Sequence, residues 1–315
     1  MEGHLTLEQF GYTIPTLDSA SVSIDSNPVD RLWEPYKILP IQVTGTIKSV
    51  QIDPSRAWGR REVRKGGNHL DTVKGCRGGS AFGGRGCFGD CYAKEASRRF
   101  HRLFDIPRSM ILNEKRLGRQ LEPLIGNCVR NGVKGDPSED WELGIKTMEF
   151  CDQYDITTIF LTRVGEIPSE QQFTQMAMSE AIIHGSVSAL DPTEHIDIIL
   201  DALERYEELG GRSVRRVITV PLREDSPLWD TQDELMDLSN VLHQPLRFRG
   251  ANPFADQFDL SVCEGVKSNT TGKVTNRWRS AKKFLTRRYS HTAGCITNCW
   301  DCGHHCMFKL GGVNW

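Results

Sequence analysis

Between Gly265 and Trp300 this chain contains no aspartate or glutamate. The same stretch carries Lys267, Lys273, Arg277, Arg279, Lys282, Lys283, Arg287 and Arg288. A block of one sign reads either as a contact for phosphate or a polyanion, or as a solvated face balanced by acids elsewhere in the fold. Other features are missing too. No apolar run approaches the ~20 residues of a membrane-spanning helix, so no membrane partner is expected. Met1-Glu2-Gly3-His4-Leu5 lacks the basic region and apolar core of a secretory signal, and a cytoplasmic location is expected. No Gly-Lys-Ser/Thr accompanies the glycine-rich loop near residue 80, which argues against a phosphate-binding P-loop. Internal repeats and low-complexity tracts are also absent.

Cysteine, by contrast, is abundant: ten residues, at 76, 87, 91, 128, 151, 263, 295, 299, 302 and 306. In a reducing compartment, clustered cysteines point to metal or redox chemistry rather than disulfides. Seven fall into two tight groups. Cys128, Cys151 and Cys263 are scattered and read as small buried hydrophobes.

The 315 residues suffice for one large α/β domain with an appendage or for two small domains. Residues 1–69 are polar and proline-punctuated, and are expected to be an irregular N-terminal segment. The alternating run at 41–50 is a candidate strand or hairpin within it. Residues 70–250 alternate strands with helices. Candidate strands are 71–74, 109–113, 128–134, 157–163, 182–188, 215–221 and 245–249. Candidate helices are 141–154, 193–209 and 230–242. Such alternation predicts a parallel sheet with helical crossovers, as a partial (β/α)6-type barrel; a flavodoxin-like open sheet is the alternative. Residues 251–315 leave this alternation and form a basic, cysteine-rich C-terminal tail.

The first cysteine group, Cys76, Cys87 and Cys91, follows a candidate strand and precedes a charged helical stretch at 94–103. Six glycines lie between Cys76 and Cys91, letting the backbone curl closely around a bound group. Thiolates are the ligands of iron–sulfur clusters, which normally take four. Three nearby cysteines leave one iron open to another ligand. A zinc site completed by His69 or His101 is the alternative.

At these residues the chain resembles the radical S-adenosylmethionine (SAM) superfamily. There, three cysteines on the loop after the first barrel strand bind a [4Fe–4S] cluster, whose fourth iron is chelated by SAM. The common spacing is Cys-x3-Cys-x2-Cys; here ten residues separate Cys76 from Cys87 and three separate Cys87 from Cys91. Gly135-Asp136-Pro137-Ser138 resembles the family's Gly-Gly-Glu-Pro-like motif, implying that Gly135, Asp136 and Ser138 hold the SAM amino group. His184-Gly185-Ser186-Val187-Ser188 resembles the later strand whose polar residues, here Ser186 and Ser188, reach SAM. The resemblance implies reductive cleavage of SAM, a 5′-deoxyadenosyl radical that abstracts hydrogen from a substrate, and a flavodoxin or ferredoxin as electron donor.

Cys295, Cys299, Cys302 and Cys306 can complete a closed tetrathiolate site. It resembles the auxiliary [4Fe–4S] clusters of many radical SAM enzymes, with structural zinc as the alternative. The substrate has three readings. Arg277, Trp278, Lys282, Lys283, Arg287 and Arg288 suit DNA or RNA, implying modification of a nucleobase. Cys91-Tyr92-Ala93 and the segment 135–140 resemble phage-encoded and spore photoproduct lyase-like members, which points the same way. The alternatives are a peptide-modifying maturase and a non-enzymatic, zinc-bearing nucleic-acid-binding protein.

Overall fold

Five parallel strands are joined by helices, and each return into a strand is made by a turn so short that a left-handed residue is needed. Asp155 (φ 54°), Glu180 (φ 50°) and Asn240 (φ 53°) sit one or two residues before the following strand, and Gly210 (φ 83°) does the same. The computed structural model describes residues 69–77, 91, 93–94, 97, 103–126, 128–246, 255–259, 261–262 and 277–292. All belong to the larger of two units into which the chain divides, Gly45–Trp315. The N-terminal segment apart from His69, Cys87, Cys263 and the four tail cysteines lie outside the described residues.

The strands are β1 (Val73–Lys74), β2 (Arg108–Ser109), β3 (Cys128–Asn131), β4 (Thr157–Thr162), β5 (Ile182–Val187), β6 (Arg212–Thr219) and β7 (Val241–Pro245). The helices are α1 (Glu114–Leu121), α2 (Trp141–Asp152), α3 (Glu170–Met178), α4 (Thr193–Glu208), α5 (Leu228–Met236) and α6 (Arg277–Arg288). Side chains start several of them where the sequence places a cap. Asn113 accepts from Arg116 N before α1, Asp140 from Leu143 N before α2, and Ser169 forms a capping box with Gln172 before α3.

The main sheet is parallel throughout, in the order β3-β4-β5-β6-β7. The segment from His69 to Gly75 runs along the free edge of β3, with parallel bridges His69–Arg130 and Gly75–Gly135. Its other edge pairs antiparallel with β2 through β1. The parallel order therefore follows the chain without the reversal that a flavodoxin-like sheet contains.

Strand parity separates two environments. Phe160, Ile183, Val187, Val217 and Val241 pack with buried residues of α2 to α6, including Met148, Met176, Leu203, Leu235 and Leu285. The opposite parity gives a cluster of strand residues: Cys128, Ile159, Leu161, Ile182, Val214 and Leu242, with Val133 beside it. Every one of these helices thus covers the same face. Cys128 and Cys151 are buried, as expected of small hydrophobes, and burial pushes the Cys151 thiol up to about 12.

Two expectations need correction. Strand β7 is Val241–Pro245 and so starts ahead of the candidate strand at 245–249, because α5 ends at Met236 and the left-handed Asn240 turns the chain at once; residues 247–249 lie outside the described residues. The candidate strand at 109–113 is two residues, Arg108–Ser109, outside the parallel series, because Asn113 is committed to capping α1. Within the segment expected as a tail, α6 places Leu285, with Tyr289 just past its end, in the helix-side core.

Candidate functional site

The C-terminal ends of parallel strands are where α/β proteins build their sites, because the loops there open from a rigid platform. In this chain the first such end is Gly75-Cys76. Leu70 N donates to Arg130 O (2.8 Å), Gly75 N to Lys134 O (3.3 Å) and Asp136 N to Gly75 O (3.1 Å). Where this ladder is interrupted, the Asp71 carboxylate accepts from Val133 N (2.7 Å) and Lys134 N (3.0 Å). Gly135 sits where the two segments touch: a Cβ there would lie 2.2 Å from Val73 O, so only glycine fits.

Cys76 N donates to Phe104 O at 2.9 Å, which holds the first cysteine at the strand end. Cys76 and Cys91, fifteen positions apart, both pack against the buried pair Ala93 and Phe104. Each is half-buried. Ala93, Lys94 and Ser97 are helical, in the charged stretch expected after the cysteines. Among the described residues no three His, Cys, Asp or Glu side chains converge as a metal site, and Cys87 lies outside them.

The residue after Cys76 is clamped. Arg77 N donates to Glu139 Oε1 (3.0 Å), its Nε pairs with Glu139 Oε2 (2.5 Å), and its Nη2 pairs with Glu166. The side chain of Glu139 is largely covered, and that burial raises its pKa against the opposing pull of Arg77. Strand ends of β3 and β4 therefore reach across to the cysteine loop.

Asp136 has a role that its sequence position did not suggest. Its side chain is buried, and Oδ1 accepts from Ser138 N (3.0 Å) and from Thr162 Oγ1 (2.6 Å), while Oδ2 accepts from Arg163 N (2.9 Å). Ser138 Oγ accepts from Gly165 N (3.1 Å). Asp136 and Ser138 thus brace the end of β3 to the end of β4. Within that braced loop Val164 is held at φ 48°, a costly conformation for a β-branched residue, and its N–H is bound by Thr162 Oγ1 (2.8 Å).

The next strand ends carry a buried ion pair, Arg163–Asp191 (2.5 Å). Asp191 Oδ2 also accepts from Ser188 N (2.8 Å). Beside it, burial and then the charge of Arg163 lower the His195 pKa to about 4. Ser188 is fully buried and Ser186 nearly so, on the face away from the helices. Gly135, Asp136, Ser138 and Ser188 all gather at this end of the sheet, with Ser186 one turn of the pleat below.

The proposed nucleic-acid residues lie elsewhere. Arg277 and Trp278 open α6, and only their helical backbone is described. Lys282 is half-buried, and Lys283 and Arg287 are exposed. Arg288 pairs with Asp233 (2.5 Å) and stacks over Trp229 at 4.2 Å. Phe284 and Tyr289 face the helix-side core, where Tyr289 donates to Asp233 Oδ1 (2.6 Å). From Ala281 onward the helix is a packed element, with Lys283 and Arg287 exposed on its outer side.

Sequence reasoning missed Arg77, Glu139, Glu166, Arg163 and Asp191. Their one shared signal is position: each lies in the segment that follows the C-terminal end of a strand, as Asp136 does. No protein-family model matches the chain, and no curated protein matches it. Fold and site together define an α/β protein with a parallel, chain-ordered sheet and a cysteine at the end of the segment that runs along its β3 edge. No helix among the described residues is long and apolar enough to cross a membrane.

Proposed function

We propose that this chain is a radical SAM enzyme binding a [4Fe–4S] cluster through Cys76, Cys87 and Cys91. The observation that carries this reading is the convergence of Cys76, just past the end of β1, and Cys91 on one apolar pair. The thiols fit the group: they are soft ligands, half-buried, and flanked by a glycine-rich loop. When bound, the cluster and SAM would supply abstraction of hydrogen from an unactivated C–H bond. The protein's share is to bind, orient and exclude water. Arg77, clamped by Glu139 and Glu166, keeps the start of the cysteine loop in place. Asp136 acts on the SAM-side turn by holding Gly135 and Ser138 in position.

A partial (β/α)6-type barrel is the architecture that suits this chemistry. Its support is the chain-ordered parallel arrangement together with the packing of α2 to α6 on one face of the sheet. Right-handed crossovers that always advance in one direction put every helix on the same side and curl the sheet around the other. The proposal extends to a second [4Fe–4S] cluster on Cys295, Cys299, Cys302 and Cys306, with zinc as the competing metal, and to a flavodoxin or ferredoxin as electron donor.

The test is metal analysis of full-length protein reconstituted anaerobically with iron and sulfide. About eight irons are expected, falling to about four when Cys76, Cys87 and Cys91 are all changed to Ala. With dithionite and SAM, the unsubstituted protein should release 5′-deoxyadenosine. Stoichiometric zinc at both cysteine groups under iron-replete, anaerobic conditions rejects the proposal in favour of a zinc protein.

A further inference from the structure

The face of the sheet away from the helices carries a second polar feature, on the strands farthest from the cysteines. Ser186 on β5, Arg216 on β6 and Gln244 on β7 share this face by strand parity. Arg215, on the opposite parity, points to the helices and pairs with Glu207 of α4. Ser186 and Arg216 are register partners, and Arg216 Nε donates to Gln244 Oε1. A guanidinium has only donors, so the amide oxygen must face it and the Gln244 amide NH2 turns outward.

The surroundings of this row are apolar. Val214 and Leu242 flank it toward the N-terminal ends of the strands, and Ile218 and Leu246 flank it toward the C-terminal ends. A half-buried guanidinium between such layers is costly without a counter-charge. Arg163 and Arg215 have Asp191 and Glu207. No carboxylate of the described residues lies within ion-pair distance of Arg216. What the row offers is donors: the two Nη groups of Arg216, the Gln244 amide NH2 and the Ser186 hydroxyl. Such a set fits an oxyanion, and the Nη edge suits two-point contact with carboxylate or phosphate.

We propose that Ser186, Arg216 and Gln244 form a binding site for the carboxylate or phosphate group of the substrate, a role for Ser186 in place of the SAM contact that the resemblance implies. Only the identification of the occupant as substrate rests on the radical SAM reading. The site takes an oxyanion whichever chemistry the cysteines perform.

Thermal unfolding of the full-length protein tests it, with inorganic phosphate, succinate, or sodium chloride at matched ionic strength. One of the two oxyanions, at about ten times its dissociation constant, should raise the midpoint by about 2–4 °C over chloride. The arm that responds distinguishes phosphate from carboxylate. Arg216→Gln should abolish the shift. Gln244→Leu keeps the charge but removes the clamp and one donor, and should weaken the apparent affinity about tenfold. Should Arg216→Gln fail to fold by circular dichroism, the Gln244→Leu comparison carries the result alone. Equal shifts in wild type and variants, or no shift above chloride with either oxyanion, overturn the proposal. The readout needs no added iron or SAM, so its failure and a failed iron count are separate outcomes.

Discussion

Asp136 is tied into the fold through both of its carboxylate oxygens. An acid beside Gly135 and Pro137 suggests a partner for an ammonium group. In the fold its oxygens accept two backbone N–H groups and one hydroxyl, all buried. Asp136→Ala strands those donors and should cost about 2–4 kcal/mol. Asp136→Asn keeps one acceptor oxygen and should cost about half as much. Urea denaturation of both variants measures the difference, and equal midpoints for wild type and Asp136→Ala would show that the brace contributes nothing. Gly135→Ala drives a Cβ into the Val73 carbonyl, 2.2 Å away, and the strand edges must part. Its expected outcome is a loss of more than about 2 kcal/mol and poor iron retention, read by denaturation and metal analysis. These roles were not legible in the sequence, because hydrogen-bond partners 26 and 27 positions apart meet only when β3 and β4 lie side by side.

At the level of elements, α6 changes the meaning of the basic block. Read along the chain, it is eight cations in an acid-free stretch. Folded, its helix buries Leu285, commits Arg288 to Asp233 and Trp229, and is followed by the buried Tyr289. Leu285→Ala should destabilise the protein by about 2–4 kcal/mol, since a fully buried leucine leaves a cavity. Reversing both Lys283 and Arg287 to Glu should leave stability within about 0.5 kcal/mol, as both are exposed. If the block meets nucleic acid, the same double variant lowers oligonucleotide affinity and flattens its salt dependence. Unchanged affinity across the salt series instead assigns the block to solvent. The strand and helix types of the central series were legible from periodicity. The start of β7 was not, because left-handed Asn240 makes a turn without the glycine that usually announces one.

For the molecule as a whole, two buried histidines set an acid limit. Burial, then the charge of Arg163, lowers His195 to about 4; burial, then His291, lowers His243 to about 4. In the unfolded chain both titrate near 6.5. Between about pH 6.5 and 4 the unfolded state therefore binds more protons than the folded one, and stability falls as pH falls. Each histidine contributes at most about 3 kcal/mol to that loss. Glu207 and Asp233, lowered by their arginine partners despite partial burial, extend the loss further into acid, while Glu139, raised by burial, opposes it. The urea midpoint should be flat above pH 7 and drop steadily below 6.5. His243→Gln, which cannot charge, should shallow that slope, and an unaltered slope would remove His243 from the account.

The sequence by itself determined the class of the fold and the thiols on which the proposed cluster rests. Alternating strand and helix periods demand a parallel sheet, and thiols spaced by glycines are chemically suited to a cluster even in the unfolded chain. Only the tertiary structure decided which charges face which. Arg77 meets Glu139 and Glu166, Arg163 meets Asp191, and Arg216 is left to Gln244, because strand parity and chain-ordered packing bring together residues tens of positions apart. Periodicity is a local property that one segment carries alone. The pairing of charges is a property of neighbouring strands, and it exists only once the sheet has chosen its order and register.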